Sequence, residues 1–177
     1  MAAPSAAWGW HRLRPDWARR LVAEAALPAG AWVLDVGAGT GAITAPLVAA
    51  GCRVIAVERH PGRAQLLRER FGTAIVVVQT DASDLRLPLR PFHVIANPPF
   101  AVTTALLRRL LHEGSRLSTA HLIVQEQAAR RWAGTTAPGR ARWERSFELT
   151  LGPRIPRSAF QPRPPVDARV LVIRRRR

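Results

Sequence analysis

Short apolar runs alternate along the chain with segments in which apolar residues recur at helical spacing. Trp17, Leu21 and Ala25 illustrate the helical pattern, because positions i, i+4 and i+8 lie on one face of a helix. The apolar runs predict strands over residues 31–36, 52–58, 73–79, 92–96, 120–125, 146–151 and 170–173. Strands that alternate with helices predict an α/β fold, in which helices cover both faces of a doubly wound, mostly parallel sheet.

Acidic residues stand where three of these strands end. Asp35 closes the first strand, Glu58 closes the second, and Asp81 follows the third. Because ligands of open α/β sheets bind at the carboxyl ends of the strands, these acids are expected at a binding crevice. A single acid in such a place is often an ordinary loop carboxylate, whereas three in the same register favour a site.

A glycine-rich turn separates the first strand from the helical segment that follows it. Gly37, Gly39 and Gly41 occupy alternate positions, and glycine lets a backbone turn tightly and approach a ligand closely. Glu58 comes about 20 residues later, where a carboxylate can accept hydrogen bonds from the hydroxyls of a ribose. A glycine turn without a ligand is the alternative, but its place between strand and helix favours binding.

The stretch Asn97-Pro98-Pro99-Phe100 follows the fourth strand. Two consecutive prolines cannot continue a strand, so the chain leaves the sheet at Asn97 with the carboxamide at the strand's carboxyl end. A hydrogen-bond acceptor, rigid prolines and an exposed aromatic ring suit a flat heterocycle that carries an amino group. A simple strand-terminating turn is the other interpretation of these four residues.

The charge of the chain favours a polyanionic partner. The net charge is +15, and all 27 basic residues are arginine. Residues 127–177 hold 13 arginines and 3 acids, whereas residues 1–126 hold 14 arginines and 9 acids. The C-terminal third therefore predicts a nucleic-acid surface, although the run at 174–177 alone is typical of a solvated tail.

Cysteine and histidine usage excludes several classes of protein. Cys52 is the only cysteine, which rules out an intramolecular disulfide or a cysteine metal cluster. The five histidines lack ligand spacing, so we expect no metal site. No run has the length of a membrane span, and the N-terminus lacks the apolar core of a signal peptide. We expect a cytoplasmic protein.

The motifs in combination resemble a known family. Asp35-x-Gly-x-Gly-x-Gly, Glu58, Asp81 and Asn97-Pro-Pro-Phe are similar to the S-adenosylmethionine-dependent methyltransferases that act on amino groups. The phrase Phe160-x-Pro-x-Pro-x-Val-Asp resembles the rRNA adenine N-6-methyltransferase family of KsgA and Erm, over about residues 10 to 173. The opening at 8–13 and the basic ending are most similar to the short actinobacterial Erm-type macrolide-resistance enzymes.

The resemblance implies a Rossmann-like class I methyltransferase fold with S-adenosyl-L-methionine as cofactor. The implied cofactor-binding residues are His11, Leu13, Asp35, Gly37, Gly39, Gly41, Glu58, Asp81, Ala82 and Asn97. The implied catalytic residues are Asn97, Pro98 and Phe100, which would hold and orient the target adenine. Aromatic and arginine side chains predicted to bind RNA are Trp8, Trp10, Arg12, Arg108, Arg109, Arg130, Arg131, Arg140, Arg142 and Arg163. For Trp8 and Trp10 the sequence favours covering of the domain edge as their main role, with stacking on bases as the alternative.

The sequence departs from the family pattern at both ends. The family usually opens with Gln-Asn-Phe-Leu, where this chain has Trp10-His11-Arg12-Leu13. The family also usually continues into a small helical C-terminal domain, which we expect to be absent here. We therefore expect one methyltransferase domain over 1–177, with an N-terminal segment (1–28), a catalytic core (29–173) and an arginine tail (174–177).

Several functions remain open from the sequence. The resemblance favours a monomer that methylates 23S rRNA, either naked or in an assembling large subunit, and so gives macrolide-lincosamide-streptogramin B resistance. A KsgA-like enzyme would instead dimethylate 16S rRNA, and Asn-Pro-Pro-Phe also suits methylation of DNA adenine or protein glutamine. A protein of another class, a non-catalytic RNA-binding ribosome-assembly factor, could share the fold, although the intact Asp35, Glu58, Asp81 and Asn97 argue against it.

Overall fold

A seven-stranded sheet between two layers of helices dominates the computed structural model, which describes residues 11–177. Trp8 and Trp10, predicted to bind RNA, lie outside the described residues. The helices are α1 (Pro15–Ala25), α2 (Thr44–Ala49), α3 (Pro61–Phe71), α4 (Thr103–Leu110), α5 (Glu126–Ala133) and α6 (Arg140–Trp143). The strands are β1 (Arg12–Leu13), β2 (Trp32–Val36), β3 (Arg53–Val57), β4 (Ile75–Val78), β5 (Phe92–Ala96), β6 (Leu117–Gln125), β7 (Phe147–Ile155), β8 (Phe160–Gln161) and β9 (Ala168–Arg175).

The order of the large sheet is β4-β3-β2-β5-β6-β9-β7, and β9 runs in the opposite direction to the other six strands. The chain moves outward from β2 to β4 and then returns to β5 beside β2. This reversal is the topological switch point, at which ligands bind in doubly wound sheets. The predicted seven-stranded, mostly parallel sheet is confirmed.

Apolar side chains from both faces of the sheet form the core. On one face Leu21, Leu47 and Leu67 of α1, α2 and α3 pack in a single cluster with the strands. On the other face Leu106 of α4 and Trp132 of α5 belong to a second cluster. The sheet is thus held rigidly on both sides, and the loops at its carboxyl edge have a fixed base.

A separate two-stranded ribbon joins the start of the described chain to residues 160–161. Arg12 pairs with Gln161 and Leu13 with Phe160 in antiparallel register. Leu13 and Phe160 are buried against the α1 face of the sheet, which anchors the ribbon to the core. This ribbon brings two motifs of the family resemblance, one near each end of the sequence, into contact.

The last strand extends further than predicted. β9 includes Arg174 and Arg175, which the sequence analysis assigned to the arginine tail. Arg174 pairs with Glu148 across the edge of the sheet. The Arg175 side chain donates a hydrogen bond of 2.8 Å to the carbonyl of Leu117 and lies 4.6 Å over the ring of Phe147. Arginine is compatible with this strand because its long stem packs on the ring while its charge remains in water.

The described residues, 11–177, contain neither a membrane-spanning helix nor a cluster of metal ligands. Every helix in this part of the chain is too short or too polar to span a bilayer. Within the same residues, His, Cys, Asp and Glu side chains do not gather in a group of three that could hold a metal ion.

Candidate active site

A cavity of about 580 Å³ opens at the carboxyl edge of β2, β3, β4 and β5. Its volume lies in the range of small-molecule sites. Predicted site residues that line it are His11, Gly37, Glu58, Asp81, Ala82 and Phe100. A smaller cavity shares Gly37 with the first and is lined in addition by Leu13, Asp35 and Asn97. The structure therefore gathers the predicted cofactor and catalytic residues at the topological switch point.

Gly37 lets the turn Asn97-Pro98-Pro99-Phe100 approach the end of β2. Its amide donates a hydrogen bond of 2.8 Å to the carbonyl of Val57, and its φ is +76°. A Cβ atom at this position would lie 3.1 Å from Cδ of Pro99 and 3.2 Å from Cα of Pro98. Only a residue without a side chain adopts this φ readily and leaves room for both prolines. The glycine turn and the Asn97 turn are thus packed directly against each other.

Glu58 is buried and held by backbone donors on both oxygens. Oε2 accepts a hydrogen bond of 2.8 Å from the amide of Gly39, and Oε1 accepts one of 2.8 Å from the amide of His60. Arg63 lies 3.4 Å from Oε1. A carboxylate has further lone pairs beyond these contacts. Because Glu58 lines the large cavity, it can accept hydrogen bonds from the hydroxyls of a ribose there.

Asp81 offers a second fixed acceptor in the same cavity. Its Oδ1 accepts hydrogen bonds of 2.9 Å from both the amide and the hydroxyl of Ser83, and its Oδ2 lies 3.2 Å from Arg59. The Ser83 hydrogen bonds hold the pKa of Asp81 below its ordinary value. The carboxylate therefore stays charged and is suited to accept a hydrogen bond from an amino group.

Asp35 lies behind the glycine turn, where it borders the smaller cavity and is almost completely buried. Its Oδ2 accepts a hydrogen bond of 2.7 Å from the hydroxyl of Thr44 at the start of α2. Burial raises the pKa of Asp35 to about 7, although the Thr44 hydrogen bond opposes the rise. A positively charged group nearby would favour the ionised form, so this carboxyl is suited to a cationic ligand.

The side chain of Asn97 has a defined orientation. Nδ2 donates a hydrogen bond of 2.7 Å to the backbone carbonyl of His11. Because that carbonyl can only accept, the amide nitrogen must face it, and the carboxamide oxygen remains an acceptor for another group. An acceptor is what the predicted contact with an amino group requires.

His11 connects the ribbon to the Asn97 turn. Its Nδ1 donates a hydrogen bond of 3.0 Å to the carbonyl of Pro162, since the carbonyl has no proton to give. Its ring centroid lies 6.3 Å from that of Phe100, and both rings line a small cavity with Asn97. The family resemblance predicted that His11 binds the cofactor, but the sequence did not predict its contacts with Asn97 and Pro162.

Three of the arginines predicted to bind RNA have protein partners. Arg109 donates hydrogen bonds to the carbonyls of Ser83 and Leu85, which supports the loop that carries Asp81. Ion pairs of 2.8 and 2.7 Å join Arg130 to Glu126 and Arg140 to Glu144. Arginines of this set that are exposed and make no ion pair within residues 11–177 are Arg12, Arg108, Arg131, Arg142 and Arg163. RNA contact by all of these side chains stays a prediction.

Comparisons with known proteins agree with the geometry of the site. The model of the ribosomal RNA adenine dimethylase family matches residues 15–177. An rRNA adenine N-6-methyltransferase of Corynebacterium diphtheriae is 41% identical over 146 residues, which cover 81% of this chain and 57% of the relative. The mycinamicin-resistance protein MyrB of Micromonospora griseorubida is 44% identical over 148 residues, covering 81% of this chain and 47% of the relative. The chain thus spans about half the length of these curated relatives.

A solved structure extends the similarity to three dimensions. The 23S rRNA methyltransferase ErmE superimposes with a TM-score of 0.82 at 29% identity, covering 93% of this chain and 69% of ErmE. The predicted Rossmann-like methyltransferase fold is therefore confirmed. Together with the family match over residues 15–177, this similarity shows that the chain belongs to the ribosomal RNA adenine dimethylase family.

Proposed function

We propose that this protein uses S-adenosylmethionine to methylate the exocyclic amine of an adenine in 23S rRNA. The names of the N-6-methyltransferase relative and of ErmE support this chemistry and this RNA. The name of MyrB supports a role in resistance to macrolides. We further propose that residues 1–177 act as one monomeric catalytic domain, on naked rRNA or on an assembling large subunit.

The chemistry of the large cavity fits the proposed cofactor. Glu58 would accept hydrogen bonds from the ribose hydroxyls, and Asp81 would accept one from the adenine amine of the cofactor. The Asp35 carboxylate, behind the glycine turn, would attract the positively charged end of the cofactor. When bound, the cofactor supplies an activated methyl group on a sulfonium, so the task of the protein is mainly positioning.

The orientation of Asn97 is the observation that carries the proposal. With Nδ2 bonded to the carbonyl of His11, the carboxamide oxygen is available to the amine of a target adenine. The adenine must leave its stack to enter the site, and Phe100 would hold its ring by stacking. Hydrogen bonds from the amine to Asn97 and to the carbonyl of Pro98 would favour a tetrahedral nitrogen. The lone pair then withdraws from the ring and the nitrogen becomes a better nucleophile.

The first experiment measures transfer of labelled methyl to protein-free 23S and 16S rRNA, followed by mapping of the modified base. We expect label on an adenine of 23S rRNA. Label on 16S rRNA alone would assign the protein to the KsgA-like branch. Binding of RNA without transfer to either, tested also with precursor particles, would favour a non-catalytic assembly factor.

A pair of variants then tests the assigned chemistry. Asn97→Ala removes the acceptor, so transfer should fall by about 100-fold or more, as for loss of an oriented catalytic hydrogen bond. Binding of S-adenosylmethionine, measured by calorimetry, should change little. Ser83→Ala serves as the contrasting variant, because it removes a hydroxyl that holds Asp81 and should weaken cofactor binding instead. Normal turnover of Asn97→Ala would refute the role of Asn97.

A further inference from the structure

A basic groove of about 510 Å³ lies on the ribbon formed by β1 and β8. Arg12, Arg14 and Arg163 line it together with Ser158, and Phe160 and Pro162 contribute its apolar walls. The groove shares neither Glu58 nor Asp81 with the cofactor cavity. Three guanidinium groups and no acid therefore line one depression beside the active site.

The ribbon fixes the direction of these side chains. Side chains alternate between the two faces of a strand, so burial of Leu13 places Arg12 and Arg14 on the outer face. Phe160 is likewise buried, and its neighbour Gln161 is exposed opposite Arg12. The amide of Arg14 donates a hydrogen bond of 2.8 Å to the carbonyl of Ala159, which holds the base of the groove.

The charge of the groove is not neutralised by the described residues. Neither Arg12 nor Arg163 has an ion pair with another residue of 11–177. Arg14 lies 3.5 Å from Asp16, but their side chains are 60% and 57% exposed, and such surface pairs contribute little. The guanidinium group is planar with several donors, which matches the oxygens of a phosphate.

The groove is connected to the Asn97 turn. Arg12 borders both the groove and the cavity that is lined by Asp35 and Asn97. His11, the residue before Arg12, accepts the hydrogen bond from the Asn97 carboxamide. An RNA strand bound in the groove would therefore lie next to the amide oxygen of Asn97, which accepts the hydrogen bond from the target amine in the proposed function.

We propose that the groove of Arg12, Arg14 and Arg163 binds a backbone phosphate of the RNA strand that flanks the target adenine. This inference rests on the proposed function for the identity of the polymer. The groove positions the strand and does not read bases, because phosphate contacts carry no direct sequence information.

The test uses the double variant R14Q/R163Q, which removes two charges and leaves Arg12 in place beside the active site. The control is R116Q, since Arg116 is exposed at the amino end of β6, at the edge of the sheet opposite the cavity. RNA affinity is measured against salt with a hairpin that carries an adenine in its single-stranded loop. Each phosphate contact adds about 0.7 to the slope of log affinity against log salt for a single strand. Because the groove holds one phosphate, the double variant should lose up to about 0.7 of the slope, and R116Q should keep it.

Binding and transfer distinguish the possible failures. A slope that falls in R14Q/R163Q alone, with unchanged affinity for S-adenosylmethionine, supports phosphate binding by the groove. This conclusion holds even if the wild-type protein methylates no RNA and the proposed function fails. Equal slopes in both variants and the wild type overturn the groove, even if 23S rRNA is methylated normally. A wild-type protein that does not bind the hairpin at low salt also overturns it.

Discussion

Replacement of Asp35 by asparagine tests the electrostatics of the site quantitatively. Burial raises the pKa of Asp35 from 3.8 to about 7, against the hydrogen bond from Thr44 and with a smaller contribution from the charge of Glu58. Because one pKa unit corresponds to about 1.4 kcal/mol, the shift amounts to about 4 kcal/mol of unfolding free energy. Ionised Asp35 thus destabilises the folded protein by this amount.

The sign of the effect follows from where each state releases the proton. The unfolded chain releases it near pH 3.8, whereas the folded protein keeps it until about pH 7. The contribution of Asp35 to the free energy of unfolding is therefore complete below about pH 3.8 and is lost as the pH rises through about 7. Asp35→Asn has no proton to release, and its amide oxygen still accepts the hydrogen bond from Thr44. Relative to the wild type, the free energy of unfolding of the variant should therefore increase by about 4 kcal/mol as the pH rises from about 4 to about 8.

Urea unfolding without cofactor, at a series of pH values, measures this difference directly. Comparison with the wild type at each pH removes the contributions of all other titrating groups. Asp84→Asn, at an exposed loop position, shows what loss of one surface negative charge does by itself. A difference between Asp35→Asn and the wild type that stays constant with pH would refute the reasoning.

Three other variants or labels test separate parts of the site. Gly37→Ala should destabilise the protein more than Gly51→Ala and should abolish methyl transfer. The two glycines have similar φ values, +76° and +74°. A Cβ atom would contact the prolines at Gly37, whereas it has no neighbour within 4 Å at Gly51. The comparison of urea unfolding curves isolates the contact with the prolines, and equal curves would contradict it. Glu58→Gln should lose cofactor affinity in calorimetry, because its amide group cannot accept both backbone hydrogen bonds; unchanged affinity would exclude the ribose contact. Asn97 is the only asparagine in the chain, so ¹⁵N-asparagine labelling gives one pair of side-chain NH₂ signals. These protons should exchange slowly with solvent, and fast exchange would argue against the bond to His11.

The sequence predicted the parts of the site that follow strand ends. Glu58, Asp81 and Asn97 each come after an apolar run, and the carboxyl ends of parallel strands meet at one edge whatever the details of packing. Gly37 was predicted from the turn pattern, although its contact with the prolines was visible only in three dimensions. Local pattern therefore located the acceptors but not the contacts that orient them.

Contacts between distant residues could not be predicted in this way. The hydrogen bonds of His11 reach residues 86 and 151 positions away, and no periodicity in the sequence marks such pairs. Arginines posed a related problem, because composition gives their charge but not their partner. Arg109 supports the Asp81 loop, and Arg175 belongs to a strand, although both were assigned from sequence to exposed basic regions.

The pairing of β1 with β8 joins two segments that lie far apart in the chain, which bears on when the ribbon can form during folding. The strands β2 to β6 come before β8 in the chain, so much of the sheet can form before residue 162 emerges during synthesis. The contact of His11 with Pro162 must then close a loop of 151 positions, and such closure costs more entropy than local pairing. We therefore expect the contact with Pro162 that holds the His11 ring to form late in folding. Local opening of this short ribbon would remove it again while the sheet remains intact.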